Sequence, residues 1–173
     1  MYLNIEIMYT RIRLIIICLW IANFCSAQLP DSGNLEQAND FTYTLASGKQ
    51  ETLYALRSEM LLLYFYNPDC EDCHALMHQL AESNIVNRLI DSKKLIVLAV
   101  YPDDDMETWN EYVGHVPQKW INGYDKGVKI HTEGIFKINQ FPTLYLLDMD
   151  KKIRMKEMTF KELESELEQI NNN

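Results

Sequence analysis

Long apolar runs are missing from this chain. The run at residues 14–24, Leu-Ile-Ile-Ile-Cys-Leu-Trp-Ile-Ala-Asn-Phe, falls well short of the roughly 20 residues that a bilayer-crossing helix needs. A permanent transmembrane anchor is therefore not expected. Arg11 and Arg13 precede the run and Cys25-Ser26-Ala27 follow it, which is the order of a secretory signal peptide with cleavage after Ala27. Met8 is an alternative start to Met1. A lipid anchor on Cys25 is the weaker reading, because bulky Phe24 stands where a small residue belongs.

Cysteine is also scarce. The sequence has four, and two of them, Cys18 and Cys25, lie inside the expected signal. Cleavage leaves 146 of the 173 residues and one pair, Cys70 and Cys73. An exported chain with a single pair has no other internal partner for either sulfur, and oxidising compartments allow such a pair to close. A purely structural staple is the bland alternative, but a loop this short constrains the unfolded chain little.

Basic residues are few as well, 16 against 25 acidic, for a net charge of −9. Without the signal the balance is 14 to 24, a net of −10. Nucleic acid is thereby set aside as a partner, since phosphate backbones reward clustered Lys and Arg. No internal repeat or low-complexity segment is present.

What remains is enough for one domain with its own core. Residues 28–37 read as a flexible polar leader and residues 38–173 as the domain. Phe41-Thr-Tyr-Thr-Leu45 alternates like a strand, 46–50 has turn composition, and 52–54 returns as the second strand of a hairpin. Leu61-Leu-Leu-Tyr-Phe-Tyr66 and Leu95-Ile-Val-Leu-Ala-Val100 read as strands buried on both faces. One or two short helices are expected between 75 and 90. Asp103-Asp-Asp105 reads as the start of a helix over 106–113, because carboxylates favour the positive end of the helix dipole. A calcium loop there lacks its later ligands and central glycine. Residues 120–124 suggest a short edge strand and 127–139 moderate helical character. Residues 143–147 and 153–158 read as strands, and 159–170 as an amphipathic helix with Thr159 as N-cap. The fold class is α/β, a central mixed sheet flanked by helices, with the hairpin as an N-terminal extension.

The chemistry sits in Asn67-Pro-Asp-Cys-Glu-Asp-Cys-His74. Cys-x-x-Cys-His can attach a c-type haem through both cysteines with His74 as axial ligand, or it can be a redox dithiol. The haem reading sits badly with a chain of several strands. A zinc site from Cys70, Cys73, His74 and His78 would crowd four ligands into nine residues. On the dithiol reading neither metal nor cofactor is expected.

The strand at 61–66, the Cys70-Glu-Asp-Cys73 motif opening a helix, and the distant Gln140-Phe-Pro-Thr-Leu-Tyr-Leu-Leu-Asp148 together resemble the thioredoxin superfamily. The stretch 38–49 resembles the leading hairpin of its exported thiol-disulfide proteins of the TlpA and ResA type. The likeness runs over about 38–170. It implies a thioredoxin-like fold, a dithiol that cycles through a Cys70–Cys73 disulfide, and a cis-proline at Pro142. The backbone around Phe141, Pro142 and Thr143 would then pair with an extended substrate segment. Departures are present too. Tyr66 and Asp69 stand where thioredoxins usually carry tryptophans, Tyr64 where many keep a buried aspartate, and Glu71-Asp72 where Gly-Pro is familiar.

On this reading Cys70, at a helix N-terminus, is the attacking sulfur and Cys73 the resolving one. Asp69, Glu71 and Asp72 oppose a further negative charge beside Cys70, and His74 offsets them when protonated. A poorly stabilised thiolate means a low potential, so a reductase or reducing-side relay is expected, exported to the bacterial periplasm. Its partners would be protein disulfides and an upstream thiol donor. A non-catalytic binding domain on the same fold is the other alternative.

Overall fold

The computed structural model describes residues 35–172; the expected signal segment and residues 28–34 of the leader lie outside them. Among these residues, besides two short 3-10 turns, seven strands and five α-helices follow in order: β1 (Thr42–Leu45), β2 (Gln50–Thr52), β3 (Met60–Phe65), α1 (Glu71–Glu82), α2 (Asn84–Asp91), β4 (Leu95–Tyr101), α3 (Met106–Tyr112), β5 (Ile121–Tyr124), α4 (Lys129–Thr132), β6 (Thr143–Asp148), β7 (Ile153–Lys156) and α5 (Phe160–Asn171). The strands form one mixed sheet in the order β2-β1-β5-β4-β3-β6-β7. β3, β4 and β5 run parallel, and β6 is antiparallel to β3.

Every residue of β3 is buried, because its two faces feed two separate cores. Leu62, Tyr64 and Tyr66 point into the first, with Cys73, Met77 and Leu80 of α1, Val86 and Leu89 of α2, Trp109 of α3, and Leu163 and Leu167 of α5. Leu61, Leu63 and Phe65 point into the second, where Phe41, Tyr43 and Leu53 pack with Ile130 and Phe136. A strand with no solvent face has no reason to alternate polar and apolar, which explains its uninterrupted sequence run.

The helix ends are chemically specified. Thr159 and Glu162 form a reciprocal capping box at α5, and Asp105 caps α3 by accepting from the Thr108 amide at 3.2 Å. The Thr108 contacts hold the Asp105 carboxyl below its ordinary pKa. Ser83 separates α1 from α2 with extended backbone, its hydroxyl bonded to Glu164 at 2.6 Å.

Three expectations change. The strand at 121–124 is interior, because β1 pairs with its outer side (Thr44 opposite Tyr124, Leu45 opposite Gly123). Gly123 permits that approach; a Cβ there would meet Cδ2 of Tyr43 at 2.7 Å. The segment 127–139 yields only the single turn α4. Gly127 and Val128 enter it with positive φ, and Gly134 (φ 62°) closes it with the paired bonds Gly134 N to His131 O and Ile135 N to Ile130 O. The end of the expected flexible leader is tied to the fold, since Gln37 bridges Lys152 and the Ile153 amide donates to Glu36 O at 2.8 Å. Among the described residues no helix is long and apolar enough to cross a membrane.

Candidate active site

β3 leaves the sheet at Tyr66, whose amide still bonds to Val100 O at 3.1 Å. Asn67 then turns the chain: its side chain accepts from the Asp69 amide at 2.9 Å and its carbonyl accepts from the Cys70 amide at 3.1 Å. This turn delivers Cys70 to the N-cap of α1 in extended conformation, with Cys73 one turn inside. The two are joined as a disulfide, with Cα atoms 5.2 Å apart.

The two sulfurs are not equivalent. Cys73 is fully buried in the first core, whereas Cys70 is partly exposed at its rim. The Cys73 amide donates to Cys70 Sγ at 3.2 Å, using one of the N–H groups that a helix start leaves without an intrahelical partner. When the pair is reduced, that N–H and the helix dipole favour a thiolate on Cys70.

The other expected residues fall into three groups. Asp69, Glu71 and Asp72 surround Cys70 in sequence, but all three are exposed, where water and salt screen their charge. His74 is half-buried: its Nε2 lies 2.7 Å from Pro68 O, and since a carbonyl only accepts, that nitrogen carries a proton. Its ring stacks on Tyr112 with centroids 5.0 Å apart, and His115 stacks on the same tyrosine at 5.0 Å. With Nε2 committed to the turn before Cys70, the imidazole clamps that turn. Tyr66 lies beneath the site, buried, donating to Asn122 Oδ1 at 2.9 Å.

The segment 141–143 reaches the same region by strand pairing. Thr143 is opposite Phe65, so Pro142 stands at the end of the sheet where β3 gives way to Cys70. The Phe141–Pro142 peptide bond is cis. Thr143 Oγ1 donates to Gln140 O at 2.6 Å, and half-buried Phe141 packs against both cores. Beside Pro142 a groove of about 380 Å³ is lined by residues including Gln140, Thr143, Glu157, Met158 and Thr159.

Two contributors gave no sign in the sequence of what they bond, Tyr64 having stood out only as a departure where a buried aspartate is usual. Tyr64 donates its phenol to Cys73 O at 2.6 Å and stacks on Tyr66 with centroids 5.5 Å apart. Burial pushes its pKa up, so the phenol stays protonated and cannot act as a base at neutral pH. Asn122 accepts from both Tyr66 and Trp109 Nε1, the latter at 3.3 Å. The i, i+2 spacing of Tyr64 and Tyr66 puts them on one face, but only the packed helix shows what that face meets.

The residues fit a redox dithiol, and known proteins agree with the architecture. A family model described as thioredoxin-like matches residues 58–153. A thioredoxin-like protein from Bacteroides caccae is 41% identical with a TM-score of 0.75, the match covering 76% of this chain and 48% of that one. This chain thus spans about half the length of that relative. The C-terminal domain of an uncharacterized Bacteroides fragilis protein is 37% identical at TM-score 0.74, covering 76% of this chain and 94% of that one. The thioredoxin domain of a thiol-disulfide oxidoreductase from Bacteroides vulgatus, at 22% identity and TM-score 0.67 over 80% and 99% of the two chains, shares the fold. No curated protein matches. With the family model spanning more than half its length and the cysteine pair at the helix start, the chain belongs to the thioredoxin-like family.

Proposed function

We propose that the protein is an exported thiol-disulfide oxidoreductase that reduces protein disulfides through Cys70 and Cys73. The observation that carries this reading is the asymmetry of the pair: one sulfur reachable at a helix N-cap, the other sealed in the core behind it. In the forward reaction the Cys70 thiolate attacks a substrate disulfide, forming a mixed disulfide and expelling one substrate thiolate. The Cys73 thiolate then attacks Cys70 Sγ, closes the internal disulfide and releases the second substrate thiolate. The substrate gains two electrons and the protein loses two. An upstream dithiol must return them, with the electrons passing in the opposite direction through the same exchange.

The groove beside Pro142 supports a substrate segment lying along residues 139–144, with backbone near Phe141 available for strand-like pairing. The acidic residues 69, 71 and 72 support the reducing direction, because they disfavour the thiolate that a strong oxidant must stabilise. Export to the periplasm is supported by residues 1–27 of the sequence. Similarity to a Bacteroides vulgatus domain belonging to a thiol-disulfide oxidoreductase points the same way on activity.

The test is twofold: reduction of insulin disulfides by the dithiol form, and the equilibrium of the pair against glutathione. Turnover with a potential well below the strongly oxidising range is expected. A haem spectrum in purified protein, or an oxidising potential, would overturn the reading.

A further inference from the structure

The β1–β2 hairpin carries a second polar feature. Thr42 is paired with Thr52 and Thr44 with Gln50, and directly paired residues share a face, so Thr42, Thr44 and Gln50 project from one side. Tyr43 and Glu51, also paired, project from the other. The hairpin's own carboxylate is thereby turned away, bonded to Lys49 at 2.6 Å and to the Tyr43 hydroxyl at 3.3 Å. Opposite the threonines, Lys126 from the turn after β5 and Lys129 at the start of α4 complete a cleft of about 120 Å³.

Two facts distinguish this cleft. Thr44 is only 5% exposed, yet its hydroxyl has no hydrogen-bond partner, whereas nearly all buried polar groups in folded proteins find one. Neither Lys126 nor Lys129 makes an ion pair among the described residues, although the chain has nine more acidic than basic residues. Asp125, the residue before Lys126, is buried and uses Oδ2 to accept the Ile130 amide at 2.6 Å. Burial pushes its pKa up, while the backbone amides of Ile130 and Lys129 and the Lys129 charge pull it down.

We propose that this cleft binds a phosphate-sized oxyanion, with Lys126 and Lys129 supplying charge and Thr42, Thr44 and Gln50 supplying donors. The volume admits one such group. Because β1 runs antiparallel to β5, Thr42 lies toward the same end of the sheet as Cys70, with β1 three strand spacings, about 14 Å, from β3. The proposal stands independently of the redox reading.

The full chain, labelled with 15N, is titrated with sodium phosphate against sodium chloride at matched ionic strength. Saturable shifts confined to residues 42–50 and 125–130 are expected with phosphate alone. Lys126→Gln with Lys129→Gln weakens binding at least tenfold. Thr44→Val weakens it about fivefold, the scale of one hydrogen bond, while the ligand-free Tm does not fall and should rise slightly, because a methyl replaces a buried hydroxyl that has no partner. A parallel titration with glycerol 3-phosphate separates sources: equal affinity assigns a phosphate carried on a larger molecule, and loss of binding assigns the free ion. Equal shifts with chloride, or unaltered affinity in the double variant, would show a cleft that holds only water and overturn the proposal.

Discussion

The phenol of Tyr64 donates to the carbonyl oxygen of Cys73 across 2.6 Å, linking the central strand to the first turn of the helix that carries the dithiol. Both groups are buried, so the bond is shielded from water and fixes the helix start against the sheet. Tyr64→Phe removes only the hydroxyl. The expected cost is about 1 kcal/mol of stability, the typical net value of such a bond, read from denaturant unfolding.

The same variant has a defined pH signature. An unfolded tyrosine titrates near 10, and burial holds the folded Tyr64 phenol higher, so the folded state keeps a proton that the unfolded state loses. The resulting stability is fully present below pH 10 and declines as the solution becomes more alkaline. Wild type should therefore fall more steeply above pH 10 than Tyr64→Phe, while the pH dependence of Cys70 alkylation between pH 5 and 9 stays the same in both. A changed alkylation profile would assign the phenol a proton-transfer role that its protonated state rules out.

Cys73→Ser leaves Cys70 at its N-cap but removes the sulfur proposed to resolve the mixed disulfide. Expressed in cells, this variant should accumulate covalent complexes that disappear on treatment with reductant, and Cys70→Ser should accumulate none. Complexes on Cys70→Ser in place of Cys73→Ser would reverse the assigned roles of the two sulfurs.

Asp69, Glu71 and Asp72 are exposed, so their effect on Cys70 is a screened field and not a buried contact. The combined change Asp69→Asn, Glu71→Gln, Asp72→Asn should raise the reduction potential by less than about 30 mV, a tenfold change in the equilibrium. The shift should shrink in high salt. Glutathione equilibria at two ionic strengths measure it, and a lowered potential would contradict the reducing-side argument.

Gly134 ends α4 with φ of 62°, and a Cβ there would meet nothing within 4 Å. Gly134→Ala therefore isolates the backbone cost of a left-handed cap, expected at about 1 kcal/mol in thermal or denaturant unfolding. A neutral result would mean that the turn relaxes without loss.

Periodicity and end chemistry made much of the architecture legible. The run 61–66 is apolar without alternation, Thr159 and Glu162 stand at capping-box spacing, and Asp105 precedes a helical stripe; each is a local rule acting over a few residues. The spacing of Cys70 and Cys73 after Asn67-Pro68 likewise marked the candidate site. Residues 120 to 124 looked like an edge because so short a run does not reveal which strand will pair on its outer side. The segment 127–139 looked helical because its apolar spacing outweighed two glycines whose positive φ values emerge only in the folded chain.

The sequence alone determined which segments could be strands or helices and that two sulfurs would meet at a helix start, since these depend on side-chain chemistry within one or two turns of backbone. Tertiary structure decided the rest. That Tyr64 holds Cys73, that His74 clamps Pro68, and that Asn122 receives Tyr66 from 56 residues away all follow from strand order and helix docking. Such contacts join groups whose separation along the chain carries no signal, and only packing on the two faces of the sheet brings them within hydrogen-bond reach.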